Sequence, residues 1–440
     1  MKFLPTLLGL AGLARLGVAT FQPSGVPFMS PVTVAAGFSA NVAFSNLTAP
    51  RGVAFDAEQN LLVVERGYGV TAFTRNPDLT HGIEVDGKTL YVSTAKAVIA
   101  YEYDPSTKSV SGLPPYIVVD GLPADGVLTT HTLLLEKNSA GVKTALLVGA
   151  GPLTNIDLTA RDPASGRSQI RRMVFPQISL PIYPPPALLW ANGQVVAYGI
   201  RNPAGFAHGV DISLEPAGTR SLYVVENGAS INSLSGITPF FANDNPSDEL
   251  ELVKYSTSSP STIKPKSYGF PDCTSLWNGD ADPAGVPQYV GFPRGSQISL
   301  NLDFLHDAGW CKDPANNQPP SLNFQAHSAP LDIKFYTPSG SATKVPSFPS
   351  TLSGDAFVSF HGSFDRTPPT GYGVVHVRFP LGLSSAGLPY SFLVQATDIK
   401  YCPEKCIRPV GLAFGKDGRL YVTSDATGEL FVIEAGYRTN

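Results

Sequence analysis

A chain of 440 residues with a formal net charge of −4, 15% charged side chains, 42 glycines and 40 prolines is too poor in charge and too rich in turn formers for a helical bundle or coiled coil. Its 43% hydrophobic content, with 24 Phe and 17 Tyr, suffices for a large core and excludes a disordered chain. Lys and Arg form no block, so nucleic acid and anionic membrane surfaces have no electrostatic footprint to bind.

In chain order, Lys2, the apolar run from Phe3 to Leu13 and the small residues Gly17, Val18 and Ala19 read as a secretory signal peptide over residues 1–19. Arg15 interrupts the stretch before it reaches the roughly 20 residues of a membrane span. The remainder, 20–440, is expected to be a single domain, secreted and soluble. Asn46-Leu47-Thr48 is a glycosylation sequon, whereas Pro246 blocks Asn245-Pro246-Ser247.

A recurring unit then organises the chain: apolar strand, polar turn, apolar strand. It runs through Arg51 to Phe55 with Asn60 to Glu65, then Ile83 to Val85 with Leu90 to Ser93, then His131 to Leu135 with Ala145 to Val148. Further copies are Pro203 to Ala207 with Ser221 to Glu226, Ala329 to Phe335 with Ala356 to Phe360, and Arg408 to Phe414 with Leu420 to Asp425. A hairpin cannot bury its own apolar face, so neighbouring units must cover it. Six units arranged radially predict an all-β fold, a six-bladed β-propeller with the first strand of each unit on the axis and ligands at one mouth. Residues 229–328 read as one long insertion of functional loops. Four cysteines suit an oxidising compartment; nearest-neighbour pairing joins Cys273 to Cys311 and Cys402 to Cys406, with two other pairings formally open.

Chemistry-bearing residues recur at corresponding places in these units. Arg66 follows Val63-Val64-Glu65, His131 opens an inner strand, and Arg201-Asn202 precedes Pro203. His361 and Arg366 follow Phe357 to Phe360, and Arg408 precedes Pro409. On a propeller they converge on one mouth, where buried guanidiniums need anionic partners. A polyanion with planar carboxylates fits a bidentate fork.

Tyr198-Gly199-Ile200 before Arg201-Asn202-Pro203 resembles the Arg-Asn-Pro signature of soluble quinoprotein glucose and sorbosone dehydrogenases. The stretch from Asn243 to Leu252, followed by Tyr268-Gly269-Phe270-Pro271, is similar to their calcium-loop and Tyr-Gly-Trp-Pro region, with Phe270 in place of Trp. His361-Gly362-Ser363-Phe364-Asp365-Arg366 with Pro368-Pro369-Thr370-Gly371-Tyr372 resembles the version in fungal secreted pyranose dehydrogenases, and the likeness extends from about Arg51 to Ile433.

The resemblance implies pyrroloquinoline quinone (PQQ) and Ca2+ at the mouth and oxidation of sugars. Arg201 and Asn202 would contact the quinone, Arg201 stabilising charge developing on its oxygen. Arg408 matches a carboxylate-binding arginine, and Arg66, Lys334, His361 and Arg366 are candidates for the remaining anionic edges. His131 matches the catalytic base that removes the anomeric proton, kept neutral by a cationic neighbour such as Arg201. Calcium would draw on the loop at Asn243, Asp244 and Asp248. In bacterial relatives a second basic residue and a stacking Trp lie where this chain has Phe324, Gln325 and His327. The implied substrates are fucose-, arabinose-, glucosone- or sorbosone-like sugars. Electrons would leave to an external quinone, cytochrome or copper oxygenase, and the expected state is a monomer. The alternative is a calcium-dependent lactonase, which needs acidic and amide side chains converging from several inner strands.

Overall fold

A computed structural model describes residues 26–435 apart from 72–73, 178–182, 210–214, 259–260, 262, 339–346 and 382–387. The expected signal peptide lies outside the described residues. No helix among the described residues is long and apolar enough to cross a membrane.

Strands dominate, and they assemble into six blades. The first holds Pro50–Phe55, Leu61–Glu65, Gly69–Val70 and Thr74–Arg75, and the second Leu79–Asp86, Thr89–Thr94, Ala97–Asp104 and Tyr116–Asp120. The third comprises Leu133–Lys137, Lys143–Ala150, Gln169–Val174 and Gln194–Tyr198; the fourth, Pro203–His208, Thr219–Glu226, Asp248–Ser256 and Leu322–Phe324. The fifth is Pro330–Phe335, Ala356–Phe360, Gly373–Val377 and Tyr390–Ala396, and the sixth Pro409–Phe414, Leu420–Ser424 and Glu429–Ala435. Two N-terminal strands finish the ring. Val32–Val34 pairs with Tyr390–Ala396 on the fifth blade, and Phe38–Phe44 supplies the outer strand of the sixth.

The expected six-bladed all-β fold is the observed one. One reading within it is corrected: residues 229–328 are not a single insertion, because Asp248–Ser256 and Leu322–Phe324 are the third and fourth strands of the fourth blade. Between them lies a hairpin of Cys273–Ser275 with Gln297–Ser299. The disulfides pair Cys273 with Cys311 and Cys402 with Cys406.

The sequence shows how the inner strands crowd the axis. Pro50, Pro203, Pro330 and Pro409 each open an inner strand, where proline costs no ladder hydrogen bond. A side chain at Gly52, Gly82, Gly205 or Gly411 would strike backbone of the next blade, at His81, His131, Leu331 and Arg51 respectively. Buried hydroxyls then tie blade to blade. Ser93 donates to the Thr130 carbonyl at 3.1 Å, Ser359 to that of Val410 at 2.6 Å, and Thr423 to that of Arg51 at 2.6 Å. Apolar side chains fill the spaces between blades, such as Val225, Leu250 and Phe324 against Ile333, Val358 and Phe360.

Candidate functional site at the mouth of the axis

Inner strands start at the mouth and second strands return to it, so the heads of the former and tails of the latter share one end. The registers Pro50↔Glu65, Pro203↔Glu226, Pro330↔Phe360 and Pro409↔Ser424 all lie there. A cavity of about 500 Å³ opens at this end, lined among others by Asn155, Arg201, Asp248, His327, Phe364 and Asp365.

Arg201 forms part of its wall. Its guanidinium donates to the carbonyls of Asn155, Asn227 and Gly228 at 2.9 to 3.1 Å and to the Asn155 side chain at 3.1 Å. Burial pulls its pKa down, opposed by Glu226 and Asp248. Asn202 is buried and donates to Asn227 Oδ1 at 2.8 Å.

Beside the cavity stands a basic cluster. Arg408 donates to the carbonyls of His361 (3.1 Å) and Gly362 (2.8 Å), and the latter residue lines the cavity. His361 Nε2 lies 2.8 Å from Asp425, whose other oxygen accepts from Arg51 at 2.7 Å. Arg51 was not foreseen as a binding residue, although it heads the first unit as Arg408 heads the last. Its pKa is lowered first by burial; Asp425 opposes this, while Arg66 and Arg408 add to it. Arg66 itself is exposed. Asp425 thus bonds Arg51 and acts on the charge of Arg408, and the buried Arg51 Nε has no hydrogen-bond partner among the described residues.

His131 heads the inner strand of the third blade with a left-handed backbone, φ 46°. Its ring is buried, with Nδ1 3.0 Å from the Gly149 carbonyl and Nε2 2.9 Å from that of Ala95. Burial lowers its pKa against both contacts. The expected cause, a nearby Arg201, is thus replaced by desolvation.

Other expected residues are placed differently. Lys334 is corrected: it pairs in register with Phe357, well down the strand from the mouth, and its ammonium lies 2.7 Å from Asp332 in a second cavity toward the opposite end with Glu84 and Phe414. Arg366 clamps loops. It donates to the Asn243 carbonyl at 3.0 Å, to that of Pro368 at 3.1 Å, and to Asp244. Asn243 exchanges hydrogen bonds with Thr367, and Asp244 also accepts from Asn278 at 2.8 Å. Asp248 does line the cavity, yet its two oxygens accept the N–H groups of Gly228 (2.8 Å) and Ala329 (2.7 Å). The expected metal set is therefore spent on holding loops.

A pair the sequence placed only by region is His327 with Asp365, 3.2 Å apart in the cavity wall. His327 Nε2 also lies 2.8 Å from the Ala242 carbonyl. Burial lowers its pKa, but the bonds to Asp365 and Ala242 prevail and raise it. Heads of inner strands that carry Arg51, His131, Arg201 and Arg408 are basic, which disfavours the acid and amide ring a lactonase requires.

Comparison with known proteins follows this geometry. The family model described as TrAA12-like matches residues 32–436. A pyrroloquinoline quinone-dependent sugar dehydrogenase of Hypocrea jecorina (strain QM6a) is 30% identical over 436 residues, covering 92% of this chain and 90% of that protein. A pyrroloquinoline quinone-dependent pyranose dehydrogenase of Coprinopsis cinerea is also 30% identical over 436 residues, and there the match spans 92% of this chain but 54% of the relative. The calcium structure of the Trichoderma reesei Carbohydrate-Active Enzymes Family AA12 superposes with a TM-score of 0.78 at 30% identity, covering 94% of this chain and 99% of that one. Since the match runs from the first strand of the ring to the end of its last, the chain belongs to the TrAA12-like family.

Proposed function

We propose that this chain is a secreted, monomeric quinoprotein that oxidises the anomeric carbon of pyranose sugars or aldoses with PQQ and passes the electrons to an external acceptor. The observation that carries the reading is the basic cluster at the mouth, in which Arg51 bonds Asp425, Arg66 and Arg408 lie close enough to disfavour its charge, and the buried Arg51 Nε has no hydrogen-bond partner among the described residues. Such a cluster calls for an anion, and a flat tricarboxylate answers it. The curated relatives described above carry the same cofactor in their names.

When bound, PQQ supplies a hydride acceptor. In this reading Arg51, Arg66 and Arg408 take its carboxylates, while Arg201 and Asn202 face its reactive edge. Arg201 is held by three carbonyls, so its charge is oriented before any substrate arrives. His131 removes the anomeric proton. A neutral imidazole has one N–H, so one of its two carbonyl contacts pairs a lone pair with a carbonyl oxygen. That contact is repulsive, and a sugar hydroxyl that donates to the same nitrogen replaces it favourably. No step is assigned to calcium at the cavity, because Asn243, Asp244 and Asp248 are already bonded to Arg366 and to backbone N–H groups.

The test is spectroscopic. Purified protein is mixed with PQQ, with and without Ca2+, and its absorbance is recorded before and after adding fucose, arabinose, glucosone or sorbosone. Stoichiometric quinone binding and bleaching by at least one sugar are expected, with turnover of a His131→Ala variant reduced about 10²-fold or more. Absence of bound quinone, or no spectral change with any sugar, sinks the reading.

A further inference from the structure

The inner strands end on the face opposite the mouth, and a cavity of about 340 Å³ lies among those of the first, second, third, fifth and sixth blades. Phe55, Phe335 and Phe414 are each the last residue of an inner strand, and all three line it half-buried. The rim is therefore aromatic. Farther in, toward the mouth, the lining turns polar with Lys334, Asp332, Glu84 and His81.

Lys334 donates one of its three N–H groups to Asp332 at 2.7 Å. Asp332 is itself fixed, because it accepts the backbone N–H groups of Ile333 and Leu412, both at 2.8 Å. The ammonium is thus anchored with two donors left for the cavity. Glu84 feels the Lys334 charge, yet Lys334 pairs with Asp332 instead. Burial raises the Glu84 carboxyl to about 7 against the pull of Lys334 and Lys137, so near neutral pH it both donates and accepts. His81 is 4% exposed, and its buried Nδ1 has no hydrogen-bond partner among the described residues. Burial, then the charges of Arg51 and Lys334, keep this imidazole neutral, with one N–H to give and one lone pair to accept with.

A buried nitrogen without a partner is costly, and it calls for a group that fills it. The charges around it nearly cancel: Lys334 offsets Asp332, His81 is neutral, and Glu84 adds at most one negative charge. An anion would meet the carboxylates and a cation the fixed ammonium. Uncharged chemistry rich in hydroxyls matches, since a hydroxyl donates and accepts as these groups do. The phenylalanine rings add flat apolar surface for the C–H face of a pyranose. The volume lies at the low end of the roughly 300–1,000 Å³ of small-molecule pockets, which suits a single ring.

We propose that this far opening of the axis is a second sugar site, which holds one uncharged pyranose without oxidising it. Lys334, Glu84 and His81 take its hydroxyls, while Phe55, Phe335 and Phe414 frame its ring. The quinone cavity lies at the other end of the axis, so occupancy here neither needs PQQ nor rests on the function proposed above.

Full-length protein produced without PQQ is titrated by calorimetry with the methyl pyranosides of glucose, galactose, fucose and arabinose, whose blocked anomeric oxygen prevents oxidation. Saturable binding of at least one of them, with one sugar per chain, is expected. Lys334→Met and Glu84→Leu should each weaken it at least about fivefold, whereas His131→Ala at the mouth should leave it unchanged. Placement is read without any variant from crystals soaked with the methyl selenoglycoside of the tightest binder, so a variant that fails to fold does not block the test. The anomalous signal of selenium should fall between Glu84 and Lys334. No binding of any of the four pyranosides, unchanged affinity in both the Lys334 and Glu84 variants, loss of binding in His131→Ala, or a selenium signal at the mouth alone would each overturn the assignment.

Discussion

Asp425 holds together the basic side of the mouth, since it accepts from Arg51 and contacts His361, and the Arg51 Nε has no hydrogen-bond partner among the described residues. Burial pushes its pKa upward, but His361 and Arg51 outweigh this and hold the carboxyl well below the ordinary range. A depressed folded-state pKa contributes stability that is fully present above the unfolded value of about 3.9 and is lost as pH falls through the folded one. Asp425→Asn keeps the shape but leaves Arg51 buried without a counter-charge. The variant should lose about 3 kcal/mol at neutral pH, and the difference from the wild type should shrink below pH 4. Denaturant unfolding at pH 7 and pH 3 measures both. A gap that stays constant between the two pH values would show that the carboxylate is not held by these cations.

At the scale of strands, the hydroxyls of Ser93, Ser359 and Thr423 do for blade pairs what backbone ladders do within a blade. Thr423 is fully buried and bonds the Arg51 carbonyl, so Thr423→Val swaps the hydroxyl for a methyl and strands that carbonyl. The expected loss is about 1–3 kcal/mol of stability with the fold unchanged, readable as a lower denaturant midpoint at constant slope. The same register explains what the sequence made legible. The first two strands of each unit were readable because apolar runs flank turns such as Asp86-Gly87 and Asp417-Gly418. The outer strands were not: Leu322–Phe324 is three residues long, and Asp248–Ser256 opens with three acids in four residues, so it resembles a polar loop. Those acids are buried by a neighbouring blade that no local pattern announces. Lys334 failed for a related reason. Position along a strand, four residues below Pro330, decides which end of the axis a side chain serves, and counting residues between units does not reveal it. Arg51 was visible at the head of the first unit, but the role proposed for it rests on Asp425, which comes from the far end of the chain.

At the scale of the ring, no local pattern announces how the last blade is closed. Phe38–Phe44 leaves the first blade's side and becomes the outer strand of the sixth, with Phe38 opposite Ala435 and Val42 opposite Phe431. The sixth blade thus draws strands from both ends of the chain, and the covalent link from Phe44 to Pro50 bridges the junction with the first blade. Loop closure of this kind opposes opening by chain connectivity as well as by contact. Because Phe38 already faces Ala435, a short turn after Ala435 can carry a transplanted copy of residues 38–44 in the native register. A chain that begins at residue 45 and carries that copy keeps every strand pair of the sixth blade but loses the covalent bridge. It should fold, bind the same ligands and unfold at least about tenfold faster than a control that lacks only the residues before 37, because separation of the first and sixth blades no longer requires a strand to be pulled out. Stopped-flow unfolding in denaturant measures the two rates. Equal rates would mean that side-chain contacts between those blades, such as Arg51 with Asp425, close the ring unaided.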